Sequence, residues 1–439
     1  MGFLGISSHA IFSFGSAKRG SFYAMSAHFT HPFVRSSGAR QLLLVLLLAH
    51  AAPSAAATTL AEAISSALAQ ADQGPRVTAL RGEGTAIRNH AAGLIAEDPA
   101  LRLKGVSDRA TGDDGAYELE AMVDLPLLLP NQRNARRELG DSLGTQADAL
   151  QRLLRWKMAG RVREAAWAAK LAHGRLRQAA AALEAEKSLE ATIAKRTAGG
   201  ELARLDLLIA RQERLAREVE MHAAQLDYDQ AISAFVLLTG QPRLPEPLTE
   251  PEPAAEATAT LPEGHPLLAS AEAAVSQARA ERERTSADRR GHPVVSLGAK
   301  RVRDDRTVPS TDALQLEVSI PFGLKGQAAP ALAGAERVYT DRLAELQEAR
   351  LEAERDLKAR VLERRGAADA LAVAEQRARL AQDALNLTRR AFDLGETDLA
   401  ALLRAEERTR NANLDLELRR LERGRASARL NQALGVVPE

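Results

Sequence analysis

Apolar and polar residues alternate in four short stretches of this 439-residue chain, and over most of the remainder the apolar positions recur at helical spacing. The alternating stretches lie at about 99–107, 116–126, 293–303 and 312–322. Leu101 and Leu103 mark the first, and Tyr117, Leu119, Ala121, Val123 and Leu125 the second. Val295, Leu297 and Ala299 mark the third, and Leu314, Leu316, Val318 and Ile320 the fourth. Side chains two apart share a strand face, so Glu118, Glu120, Asp124, Gln315, Glu317 and Ser319 fall on the other face. Each pair of predicted strands follows an amphipathic helix, at about 75–97 and 266–290, opened by a proline where its missing N–H costs least. After each pair, about 67 residues run on at helical spacing, 131–197 and 327–393, with only Pro330 near a start. At about 1.5 Å per residue each predicted helix is roughly 100 Å long. A shorter helix returns at 201–239 and 396–434, and Gly199, Gly200 and Gly395 supply the reversals.

The chain is written twice. Leu125-Pro126 recurs as Ile320-Pro321, Gly200-Glu201 as Gly395-Glu396 and Gly240 as Gly435, all at an offset of 195 residues. Three separated landmarks sharing one offset are hard to produce by accident in an Ala/Leu/Glu/Arg-rich sequence. The organisation that follows is a leader at 1–57, a first repeat at 58–240, a Pro-rich linker at 241–264 and a second repeat at 265–439. The linker carries Pro242, Pro245, Pro247, Pro251, Pro253 and Pro262 and is expected to be extended and exposed.

Composition narrows the function. Lys plus Arg number 59 and Asp plus Glu 58, with no basic stripe interleaved with aromatics, which argues against nucleic acid. Residues 1–57 hold Lys18, Arg19, Arg35 and Arg40 and no acid, so the remainder carries a formal charge of −3. Arg40, the apolar run Leu42 to Ala49, Pro53 and Ala55 to Ala57 have the order of a secretory signal, with cleavage expected after Ala57. The stretch before Arg40 is long for such a leader, and Met25 is an alternative start that leaves 1–24 outside the protein. Cysteine is absent, which removes disulfides, thiol chemistry and the acceptor for a lipid anchor. No later segment offers about 20 uninterrupted apolar residues, so a membrane crossing would have to be made by strands.

A soluble antiparallel sheet on a core gives the same alternation. In lipid, however, four strands have open edges that must be paired, and three chains would close a barrel of twelve. The duplicated order helix, strand, strand, long helix, short helix, with the turn segments Thr197-Ala-Gly-Gly-Glu-Leu and Phe392-Asp-Leu-Gly-Glu-Thr, resembles the TolC family of outer-membrane efflux ducts over about residues 60–437. The fold class is thus mainly α with a small β part: a tandem repeat of long antiparallel helical hairpins plus four strands per chain. The resemblance implies a homotrimer with one twelve-stranded barrel in outer-membrane lipid and a coiled-coil tunnel through the periplasm. It implies as partners a periplasmic adaptor protein and an inner-membrane pump of the resistance-nodulation-division type. The segment Lys300-Arg-Val-Arg-Asp-Asp-Arg followed by Leu314 to Gly323 is most similar to the heavy-metal (cobalt–zinc–cadmium type) branch, and drug or solvent efflux and type I secretion are the alternatives within the family. A periplasmic adaptor or structural coiled coil is the alternative of another class, and would carry a single hairpin.

In the family the turns between long and short helices receive the adaptor, which assigns docking to Gly199, Gly200, Glu201 and Leu202 and to Leu394, Gly395, Glu396 and Thr397. The other reading of these residues is as two helix caps. Asp206 matches a gate aspartate of the family's first hairpin. Ala401 and Arg404 stand where some members carry an acidic ring. Asp206 and Arg404 are therefore candidate gate residues, either as an ionic lock between hairpins or as part of a solvated helix face. His90, His173, His222, His265 and His292 lack ligand spacing, and His265 and His292 precede prolines as turn residues. No nucleophile elbow, phosphate loop or dinucleotide fingerprint is present, so neither an enzyme nor a cofactor is expected. Outer-membrane barrels carry aromatic girdles, against which Tyr117 and Phe322 are nearly the only aromatics near the strands.

Overall fold

Two helices of 69 residues set the scale of the molecule: Pro130–Ala198 and Lys325–Asp393, displaced by the same 195 positions as the sequence landmarks. A computed structural model describes residues 59–112, 114–253, 260–323 and 325–438. In chain order the elements are α1 (Leu60–Gln70), α2 (Gly74–Ala92), β1 (Ala100–Ser107), β2 (Tyr117–Pro126), α3 (Pro130–Ala198) and α4 (Arg204–Thr239). The second repeat follows with α5 (Pro266–Asp288), β3 (Val294–Arg303), β4 (Thr311–Ser319), α6 (Lys325–Asp393) and α7 (Leu399–Ala433). The leader expected at 1–57 lies outside the described residues. No described helix is long and apolar enough to cross a membrane.

The strands form one antiparallel sheet in the order β1-β2-β3-β4, so the two repeats meet at β2 and β3. Leu101 pairs with Val123, Val123 with Leu297 and Leu297 with Leu316, which puts the apolar positions of all four strands in one row. The β2–β3 contact is close: a Cβ on Gly298 would collide with the Ala121 carbonyl and the Met122 backbone. β4 ends at Ser319 rather than near 322. Its partner Val294 is preceded by Pro293, which has no N–H to continue the ladder. α2 stops at Ala92, short of 97, because the chain turns at Gly93 and bridges Ile95 to Leu127.

The helices pack as hairpins, α3 with α4 and α6 with α7, while α2 and α5 both lie along the sheet-proximal part of α3. The main core gathers Ile64, Val162, Trp167, Phe235 and Leu248. Helix α1, which sequence periodicity did not single out, supplies Ile64. Its start is a capping box in which Thr59 Oγ1 accepts from Glu62 N at 3.2 Å and Glu62 Oε2 accepts from Thr59 N at 2.9 Å.

The linker differs from the expectation of an exposed segment. Leu248 is 2% exposed, Pro245 is fully buried and Leu244 packs on the main core, because the α3–α4 pair leaves apolar surface there that proline and leucine cover. Glu250 is held by a buried bidentate pair with Arg163 of α3.

Charge also joins the two repeats. Glu164 on α3 accepts from Arg425 at 2.9 Å and Arg429 at 2.6 Å, both on α7. Partial burial raises this carboxyl's affinity for a proton, and the two guanidiniums outweigh it, bringing the pKa down to about 2. A carboxylate depressed on folding stabilises the fold above its unfolded pKa and loses that contribution as pH falls through the folded value. The α3–α7 contact is therefore expected to weaken between about pH 4.5 and 2. In Glu164→Gln that part of the acid dependence disappears, which thermal melts across the window compared with pH 7 will show.

Candidate functional site: the sheet faces and the hairpin tips

The sheet has two chemically distinct faces and two free edges. On one face Leu101, Leu103, Leu119, Val123, Leu297, Leu316 and Val318 are exposed, and Leu314 reaches 93%. Nothing among the described residues covers them. On the other face the charges interlock: Lys104 and Lys300 both bond Glu118 Oε1, at 2.8 and 3.0 Å, and Arg102 joins Asp124 at 3.0 Å and Glu317 at 3.5 Å. The apolar face is interrupted at its loop end by Arg301 paired with Asp312 at 2.6 Å. Next to that end the Arg303 guanidinium lies 4.7 Å from the Tyr117 ring centre, while Phe322, 89% exposed, lies beyond the opposite end. The two aromatics that looked too few for a girdle thus bracket the apolar band. β1 and β4 each leave one edge unpaired within the chain.

At the other end of the molecule the two hairpins turn in the same way. Gly200 and Gly395 have φ of +79° and +75°, which disfavours any side chain. The Glu201 and Glu396 amides reach back to the Arg196 and Ala391 carbonyls at 2.9 and 2.8 Å, closing the orphan carbonyls of α3 and α6. Gly199 keeps right-handed geometry as the cap of α3, Glu201 pairs with Arg196 at 3.0 Å and Leu202 is half-buried. Leu394 is 74% exposed, Glu396 is exposed and Thr397 is half-buried.

The returning helices start differently. Asp398 caps α7 through the Ala401 amide at 2.8 Å. Its counterpart on α4 is Ala203, whose amide is satisfied by Asp206 Oδ2 at 3.1 Å. Asp206 is thus an N-terminal capping residue of α4, well placed at the positive end of the helix dipole. Within one chain it is not brought to Arg404. Arg404 instead borders a groove of about 1080 Å³ between α6 and α7, with Val373, Leu380, Leu387, Ala401 and Arg408. Sequence reasoning missed Asp398 and this groove. The first was signalled by an acid at the last position before a helical run. The second was signalled by the seven-residue spacing of Val373, Leu380, Leu387 and Leu394.

Four of the five histidines pack or bond elsewhere, and His222 is exposed on α4. His90 Nε2 lies 3.2 Å from the Ala96 carbonyl, and His292 Nδ1 lies 3.1 Å from Gln132 Oε1. His173 packs on Tyr228. His265, 3% exposed, sits edge-on to Trp156 at 5.3 Å, and burial holds its imidazole below the ordinary pKa. Among the described residues no group of His, Asp or Glu is arranged to hold a metal ion.

Comparison with known proteins agrees with this geometry. Residues 260–436 match the family model described as "Outer membrane efflux protein". No curated protein sequence matches the chain. Among solved structures, the outer membrane protein VceC of Vibrio cholerae superposes with a TM-score of 0.62 at 19% identity, covering 86% of this chain and 96% of its own. CusC, whose structures concern folding and transmembrane channel formation, gives 0.59 at 18% identity, covering 86% and 92%. The open state of the Neisseria gonorrhoeae MtrE outer membrane channel gives 0.60 at 17%, covering 86% and 88%. By sequence, residues 260–436 carry the pattern of the outer membrane efflux protein family, and by fold the chain matches outer-membrane channels across most of its length.

Proposed function

We propose that the chain is one protomer of a homotrimeric outer-membrane export duct that passes substrates outward and catalyses no reaction. The observation that carries this reading is the four-stranded sheet, with an exposed apolar face, a charged face and two open edges, continuous with helical hairpins about 100 Å long. Edges left open in lipid are untenable, and three copies supply twelve strands. The apolar face then meets outer-membrane lipid, the charged face lines a lumen, and the hairpins form a tunnel in the periplasm.

In this reading Gly199, Gly200, Glu201 and Leu202 with Leu394, Gly395, Glu396 and Thr397 receive a periplasmic adaptor that bridges to a resistance-nodulation-division type pump. Two glycine turns of the same geometry leave backbone open to a close approach by a partner helix. Asp206 and Arg404 act at the constriction between hairpins of neighbouring copies, and with Ala401 in place of an acid the passage has no cation-selective ring at that level. The exported substrate is a heavy-metal cation, on the resemblance of residues 300–306 and 314–323 to that branch. Recognition of the metal belongs to the pump.

Purified in detergent, the protein is expected to migrate as a trimer and to conduct ions in a planar bilayer, with Asp206→Ala/Arg404→Ala raising single-channel conductance. Unchanged conductance removes both residues from the gate. A monomer that stays soluble without detergent and forms no channel overturns the duct itself.

A further inference from the structure

The repeat offset of 195 also pairs Gln70 with His265, and the two residues occupy the same place against the same turn. Gly240 closes α4 and Gly435 follows α7, with φ of +69° and +79°. A Cβ on Gly240 would collide with the Gln70 amide, and one on Gly435 with the His265 ring. The bonding differs between the repeats. Gln70 donates to the Leu237 and Leu238 carbonyls, both at 3.3 Å, and accepts from the Gly240 amide at 3.1 Å. Of the corresponding carbonyls in the second repeat, Gln432 and Ala433, that of Gln432 is taken by Trp156 Nε1 at 2.9 Å. His265, 3% exposed, completes a hydrogen bond through neither ring nitrogen. Buried polar groups without a partner are rare in folded proteins.

The surroundings oppose a charge on this ring. It stands at the N-terminus of α5, where the helix dipole disfavours a cation, and its edge meets Trp156 of α3 at 5.3 Å. Burial holds the imidazole below its ordinary pKa, against the Ala433 carbonyl and Asp356, which both favour the proton. Asp356 comes from α6 and already pairs with Arg360 at 3.0 Å. From the linker, Glu252 and Glu263 line a cavity of about 460 Å³ that the ring borders, together with Asn431 and Gly435 from the end of the chain. Glu252 pairs with Arg423. Further along α3, Arg163 is spent on Glu250 and the Val436 carbonyl. A neutral ring packs well here, whereas a charged one is disfavoured where it sits and has an acid-lined space beside it.

We propose that His265 is an acid-released latch: neutral, it holds the Gly435 turn and the linker against α5, and on protonation the ring swings into the cavity and frees the end of α7. The first repeat has no such release, because the Gln70 amide does not titrate and keeps its three bonds. Mild acid thus loosens the α6–α7 hairpin at its root, where Leu430, Ala433 and Leu434 pack on Leu357, while the α3–α4 hairpin stays fixed. A histidine buried neutral stabilises the fold fully above its unfolded value of 6.5, and that contribution is lost as pH falls below it. This window lies above the one set by Glu164. The latch belongs to a single chain and stands whether or not three copies assemble.

Hydrogen exchange of the detergent-solubilised full chain, read by mass spectrometry and corrected for the intrinsic effect of pH, tests the latch. Between pH 7.5 and 5.5 the segment around Gly435 is expected to open more often, by up to about tenfold, the full effect of one pH unit below an ordinary histidine pKa. The matching segment around Gly240 should not change. His265→Gln gives the second repeat the residue type that the first already carries, and is expected to fold and to abolish the response. Trp156 supplies a second measurement. Its fluorescence should change over the same pH range in the unaltered protein and stay flat in His265→Gln, the Trp167 signal being common to both. Equal loosening at both turns, or the same response in His265→Gln, places the acid sensitivity elsewhere and overturns the latch. No response in either measurement makes the imidazole a packing group alone, which overturns it as well.

Discussion

Replacing Arg163 with alanine is expected to destabilise the fold by about 3–5 kcal/mol, the range for removing one partner of a buried ion pair. Its side chain is 3% exposed and that of Glu250 6%, so neither charge can be rescued by water. Arg163 Nε and Nη2 donate to the Glu250 carboxylate at 2.9 and 2.7 Å, and Nη1 donates to the Val436 carbonyl at 2.9 Å. Asn431 adds a bond to the Pro251 carbonyl at 3.0 Å. One guanidinium thus ties α3, the linker and the chain's C-terminal segment together. Without it the Glu250 charge is stranded in the core, and the linker is expected to come away and become sensitive to protease. Arg163→Met with Glu250→Leu should recover most of the loss, because two apolar groups of similar volume need no partner. Denaturation of the detergent-solubilised protein, together with limited proteolysis at 241–264, measures both. Equal stability of Arg163→Ala and the unaltered protein would mean that the linker is held by Leu248 and Pro245 alone.

That pair marks the limit of what the sequence discloses. The 195-residue repeat was legible because its landmarks are backbone requirements: glycine at the turns and proline closing the strands. These fixed α3 and α6 to within a few residues and placed the sheet between the repeats. The strand faces were legible because a period of two admits one apolar assignment, and the register confirms it at Val123, Leu297 and Leu316. What escaped were elements defined by partners far away in the chain. The linker reads as exposed from its prolines, yet Leu248 is buried by helices some 80 residues distant. Asp206 reads as a gate residue from its position after the turn. The structure adds a local role, capping Ala203, that no spacing argument separated from the first. The α6–α7 groove went unseen because exposed leucines at seven-residue spacing look the same in sequence whether a helix of the same chain or of another covers them.

The strongest effect on assembly is expected from Leu297→Arg. Leu297 lies in the middle of the apolar row, paired with Val123 and Leu316, and is 51% exposed in a single chain. If that face meets lipid, a cation near the bilayer midplane costs about 2–4 kcal/mol per copy, and a trimer bears it three times. The variant is expected to accumulate in the periplasm and be degraded instead of fractionating with the outer membrane. Ala313→Arg is the control. It lies on the adjacent strand β4 but on the charged face, paired with Lys300, which itself bonds Glu118 and Glu120, so that added charge stays solvated. It should reach the outer membrane at normal levels. The contrast separates lipid exposure from loss of sheet stability, since either substitution places an arginine on β3 or β4 without removing a ladder hydrogen bond. If both variants insert equally well, the apolar face is covered by protein and the sheet does not form the wall of a barrel.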